Sequence, residues 1–277
     1  MKRMWWLSMV LSLVPLQALA TATTMLTAGG WDASDVFVID GPHVGSAHVE
    51  RASSGSFDDG GTYNWLASAS SRDSRGDMHL LLQTTNSPGF GHVTGTSSVV
   101  GSVVFSGSGP RTVRFALDVL GSLQSATGAS AMHAGGNLTL GGASSYADLQ
   151  TLGTLPSAVL SIQHGHVDLI SADRNGLHLR LWLEELVIPG VIYELSASLF
   201  SSIQVGSPDI TSADFSHTAQ LSVWLPPDYT MTGANGYLSD LPGVGGGAVP
   251  EPRGLAVAAF VALAAARGLR RRSAARR

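Results

Sequence analysis

No cysteine occurs in the 277 residues, so neither a disulfide framework nor a thiolate metal centre can be built from this chain. Lysine is confined to Lys2, and charged residues make up 13% of the total, about half the usual quarter. Without a lysine between the chain ends, P-loop phosphate binding and Schiff-base chemistry have no residue to use. No G-x-S-x-G occurs to seat an α/β-hydrolase serine, and no H-E-x-x-H occurs to hold zinc. The few charges are also segregated. Residues 21–252 carry all 20 acidic side chains against seven arginines (51, 72, 75, 111, 114, 174 and 180), a formal charge of −13, whereas the whole chain sums to −4. That excess excludes nucleic acid as a partner of the middle region.

The basic residues left over sit at the two ends. Residues 1–20 (MKRMWWLSMVLSLVPLQALA) place Lys2 and Arg3 before an apolar run that closes on Ala18 and Ala20. This is the three-part plan of a secretory signal peptide, with cleavage by signal peptidase expected after Ala20, or close behind after Ala22. At the other end, residues 254–266 are uninterrupted apolar or small residues. As a helix they would span roughly 20 Å of a ~30 Å hydrocarbon core. Extension to Leu269 gives about 24 Å if Arg267 snorkels. The following cluster of Arg270, Arg271 and Arg272 is a topology signal that keeps this end cytoplasmic and residues 21–252 outside.

The Val249-Pro250-Glu251-Pro252 motif, the Ala/Leu/Val run and the Arg-rich end, taken in that order over residues 249–277, resemble the PEP-CTERM sorting signal of Gram-negative bacteria. The resemblance implies a precursor held transiently in the inner membrane by a helix at 254–269 and processed near Pro250–Pro252 by an exosortase. It also implies a destination at the cell surface or beyond, in a setting of exopolysaccharide and biofilm. The departures are a short, Ala-rich helix and its interruption by Arg267. Residues 214–240 resemble, more loosely, the C-terminal β-portion of ectodomains in the same family.

Between the ends, residues 21–242 are long enough to bury roughly 70–75% of their unfolded surface in one core. Leu177, Leu179, Leu181 and Leu183 alternate with His178, Arg180, Trp182 and Glu184, which predicts a strand over 177–187. A second alternating run follows Pro189-Gly190, and a three-residue hairpin loop pairing Leu183 with Ala197 and Leu181 with Leu199 would put every apolar residue on one face. Pairing Leu183 with Ser196 would not. Further strands are predicted at 35–40, 63–68, 78–84, 98–106, 112–120, 158–163, 166–170 and 215–225. Many short strands without helical crossovers predict an all-β fold, a single antiparallel β-sandwich or jelly roll. Residues 243–248 read as a Gly-rich linker to the sorting signal.

Candidate chemistry lies in three places. His164-Gly165-His166-x-Asp168 would place two imidazoles and a carboxylate on one face of a continuous strand, a metal-binding spacing similar to that of cupins. The cupin glutamate is missing, and the apolar phase breaks near Gly165, which favours a turn. Asp58 and Asp59, beside Gly60 and Gly61, would suit a calcium loop but lack EF-hand spacing. The row His178, Arg180, Trp182 and Glu184 offers an aromatic among polar groups, as sugar binding needs, although Trp182 could equally cover the second face of a sandwich. Glu184 and Glu185 point to opposite faces of a strand, a poor acid/base pair. The expectation is a non-catalytic surface or matrix protein without a cofactor, served by signal peptidase and exosortase. An exopolysaccharide-binding module is the alternative, and a cupin-like metal enzyme a weaker one.

Overall fold

The computed structural model describes residues 20–30, 36–56, 62–86, 91–152, 159–173, 176–205, 208–241 and 244–245. Most of the leader, Asp58, Asp59 and the sorting signal at 249–277 lie outside the described residues. In chain order the strands are β1 (Thr21–Gly30), β2 (Val36–His43), β3 (Ser46–Ser56), β4 (Thr62–Arg72), β5 (Asp77–Asn86), β6 (Gly91–Ser106), β7 (Arg111–Ser125) and β8 (Ala131–Leu140). They continue as β9 (Ala143–Leu152), β10 (Val159–His164), β11 (His166–Asp173), β12 (Gly176–Val187), β13 (Ile192–Val205), β14 (Asp209–Trp224), β15 (Thr230–Gly233) and β16 (Val244–Gly245), with one 3₁₀ turn at Ala234–Gly236.

The strands form two sheets. The first has the order β10-β9-β8-β13-β6-β1-β2, with β15 pairing the last residues of β6 and β16 lying beside β15. The second has the order β11-β12-β7-β14-β5-β4-β3. Except for β15 with β16, the pairings are antiparallel. The fold is therefore all-β. Inward side chains of both sheets fill one core, among them Phe105 and Leu199 from the first and Phe115, Leu181 and Phe215 from the second.

Alternation is obeyed where it was strongest. Leu177, Leu179, Leu181 and Leu183 are buried, and so are Leu195, Ala197, Leu199 and Ile203 of β13. Their pairing is not a hairpin. Leu183 lies opposite Phe115 of β7, while Ala197 lies opposite Val99 and Leu138. Residues 188–191 carry the chain from one sheet to the other, so the expected Leu183–Ala197 pairing, and with it the three-residue hairpin loop, is corrected. The physical reason is that two apolar faces gain as much by meeting across a core as by lying side by side. Periodicity identifies the face but not the partner.

Among the longer strands, β1, β3, β8 and β9 escaped prediction. Their inner faces carry Ala22, Ala28, Ala47, Ala134 and Ala147, all buried, where a pattern search seeks larger side chains. Small residues here make room for large ones. A Cβ on Gly95 would lie 2.4 Å from Leu80, and one on Gly101 would lie 2.4 Å from the Tyr237 ring. Tyr237 is fully buried, and its hydroxyl donates to the Leu195 carbonyl at 2.9 Å. Within the Gly-rich segment read as a linker, Val244 and Gly245 pair in parallel with Met231 and Thr232.

Candidate binding face of the second sheet

With the leucines of β12 turned inward, His178, Arg180, Trp182 and Glu184 are all set on the outer face of the second sheet. β12 is flanked by β11 and β7, and the registers decide what each side chain meets. One transverse row aligns Asp168, Arg180, Asp118, Gln220, Asp77 and Arg72. The next row aligns His166, Trp182, Ala116 and Ser222, and a third aligns Glu184, Arg114 and Trp224.

Each of the four side chains has a partner. The His178 Nε2 lies 2.9 Å from Asp118 Oδ1, and Arg180 Nε donates to that same oxygen at 2.8 Å. This hydrogen bond with Asp118 raises the Arg180 guanidinium further above its already high value. Glu184 accepts two hydrogen bonds from Arg114, from Nε at 2.9 Å and from Nη2. Trp182 has neighbours on both of its sides. Its Nε1 donates to Asp168 Oδ2 at 3.0 Å. The His166 ring stacks on it with centroids 4.1 Å apart and planes 12° apart, and the Arg114 guanidinium lies 4.9 Å from the ring centroid. His166 comes from β11 and Arg114 from β7, on opposite sides of β12, so both faces of the indole are occupied.

The His164–Asp168 segment does not form the continuous strand that a metal site would need. Gly165 adopts a left-handed φ of +73°, and a Cβ there would lie 2.5 Å from the Ser144 carbonyl and Ser145 Oγ. The chain turns at this residue. His164 ends β10 in the first sheet and His166 begins β11 in the second. Ser145 fastens the corner, accepting from the His166 amide at 3.2 Å and donating to the Trp182 carbonyl at 2.7 Å. His166 and Asp168 therefore share a face, as their spacing implies, but they serve Trp182. Among the described residues no three His, Asp or Glu side chains are grouped as metal ligands. Glu185 is half-buried near the end of β12, and Glu184 is exposed.

Sequence reasoning missed Arg114, Asp118 and Trp224. Trp224 is 49% exposed beside Arg114 and is an open aromatic among the described residues of this face. Its outward position could be read from the inward alternation of Phe215, Ala219, Leu221 and Val223, whereas its neighbour Arg114 is over a hundred residues away in sequence. No family model matches the chain, and no curated protein matches it.

Proposed function

We propose that this is an exported, non-catalytic protein of a bacterial cell surface or extracellular matrix, sorted and processed by an exosortase. What supports this reading is the polar row of the second sheet. On and beside β12, His178 and Arg180 are engaged with Asp118, and Arg114 with Glu184, which ties the outer face together across strands. The sandwich also suits a tethered protein, because β1 begins at Thr21, next to the expected leader cleavage after Ala20, and β15 and β16 lie along the last residues of β6. The −13 of residues 21–252 keeps such a domain soluble once released. The test is localisation in the native host. The full chain should reach the surface, and a chain ending at Ala248 should bypass the inner-membrane stage. Surface retention that is unchanged without residues 249–277 would overturn the sorting reading.

The second reading, an exopolysaccharide-binding module, draws on Trp224 rather than on Trp182. A sugar ring needs an open aromatic face, whereas Trp182 already has the His166 ring and the Arg114 guanidinium against it. Trp224, next to Arg114 and Ser222, keeps exposed ring surface and nearby hydrogen-bonding groups. Affinity electrophoresis through gels containing the host polysaccharide tests it. Retardation abolished by Trp224→Ala would support binding, and retardation that survives the substitution would remove this site.

A further inference from the structure

The β12–β13 connection is unusually apolar for a surface loop. Leu186, Ile188, Val191 and Ile192 are 60%, 51%, 42% and 47% exposed, respectively, within seven consecutive residues. Single exposed apolar residues need no explanation, but a contiguous set marks a contact surface. The loop is held in this shape. The Ile188 amide donates to the Tyr193 hydroxyl at 2.8 Å, the Gly190 amide to the Phe105 carbonyl at 2.9 Å, and the Val191 amide to the Ile188 carbonyl at 3.2 Å. Gly190 takes a φ of +79°, which a side chain would resist. The apolar side chains are thus fixed outward rather than free to fold back.

The place of the loop decides what covers it. Phe105, which accepts from Gly190, is paired with Met231 of β15, and Met231 is paired with Val244 of β16. Two strand spacings, about 10 Å, separate that end of β6 from β16. From Gly245 only residues 246–253 precede the apolar run at 254–266, a reach of at most about 32 Å. Gly245 thus lies near the loop-bearing end of β6, and although β16 runs away from that end, the surface that holds the tail begins within that reach of it. Charge does not attract this end to anionic lipid, because Arg111 and Arg114 are outnumbered there by Glu184, Glu185, Glu194 and Asp228.

We infer that the loop bearing Leu186, Ile188, Val191 and Ile192 is a lipid-contacting surface that rests in the bilayer interface while the tail anchors the precursor. The inference builds on the reading of residues 254–269 as a membrane anchor. It assigns the sandwich a fixed pose, with the 188–191 end at the membrane and the Leu152 end away from it.

The absence of native cysteine makes the test direct. Single cysteines at Ile188, Val191 and Leu152, the last 70% exposed at the opposite end, are labelled with an environment-sensitive fluorophore in the chain from Thr21 to Arg277, which lacks the apolar leader. The chain is reconstituted in phosphatidylcholine vesicles with and without phosphatidylglycerol, some carrying brominated acyl chains. Flotation reports anchoring, and quenching reports contact. The expected result is flotation, with quenching at 188 and 191 about threefold or more above that at 152, and little change with anionic lipid. Flotation with equal quenching at all three positions would overturn the lipid contact and leave the anchor standing. Failure to float would overturn the anchor, and the contact with it. Quenching that requires phosphatidylglycerol would overturn the apolar basis of the contact.

Discussion

The His166 imidazole and the Trp182 indole lie parallel, 4.1 Å between centroids, on neighbouring strands of the second sheet. With Arg114 against the ring from β7 and Asp168 on its Nε1, Trp182 is a strut of this face and Trp224 is an open aromatic on it. Acrylamide quenching of single substitutions separates the two. Trp224→Phe should remove more of the quenchable emission than Trp182→Phe. Trp182→Ala should cost about 2 kcal/mol in denaturant unfolding, through lost packing against His166 and Arg114. Equal quenching losses would mean that the indole of Trp182 is open to solvent.

Asp209 contributes to the acid side of the stability profile. Burial alone would push its carboxyl up, but hydroxyls from Ser125 and Ser130 and amides from Thr127 and Ile210 bring it down to about 2 from an ordinary 3.8. A depressed carboxylate stabilises the fold above its unfolded value and loses that contribution as pH falls through its folded one. Asp209→Asn should therefore cost about 2 kcal/mol at pH 7 and flatten the loss of stability between pH 4 and pH 2. Chemical denaturation at a series of pH values checks it. Parallel pH profiles for both proteins would contradict the assignment.

Gly101 is a packing residue inside a strand, not a point of flexibility. The Tyr237 ring occupies the space that a side chain would need. Burial also pushes the Tyr237 phenol far above its usual range, so the native state holds it neutral. Gly101→Val should cost about 3 kcal/mol, at the upper end for overpacking, because it displaces that ring. A thermal-unfolding series of Gly101→Ala and Gly101→Val should show the loss growing with side-chain size.

These cases show which parts were legible. Leucine alternation made β12 and its outer row readable, because one residue type repeats with the period of a strand. The same alternation could not place β12 and β13 in different sheets, since both arrangements bury the same faces. Strands with alanine and glycine inside were invisible, because the large partners that explain Gly95 and Gly101 are remote in sequence. The i, i+2 spacing of His166 and Asp168 correctly put both on one face. What they meet there depends on β12, which no local pattern reveals.

The sheet assignment is open to a direct check in a chain free of cysteine. Arg114 and Glu184 are cross-strand partners, within the Cα separation that a disulfide tolerates. Cysteines at these two positions should oxidise readily. Cysteines at Leu183 and Ala197, which belong to different sheets packed about 10 Å apart, should not. A bond between 183 and 197 formed under native conditions would restore the hairpin.

Export and processing bear most directly on what the protein does, and intact mass spectrometry of the surface form from the native host measures both. The expected species begins at Thr21 and ends near Pro250–Pro252, so that the basic ends are gone and the acidic sandwich is left. A surface form that retains residues 254–277 would contradict processing at this signal.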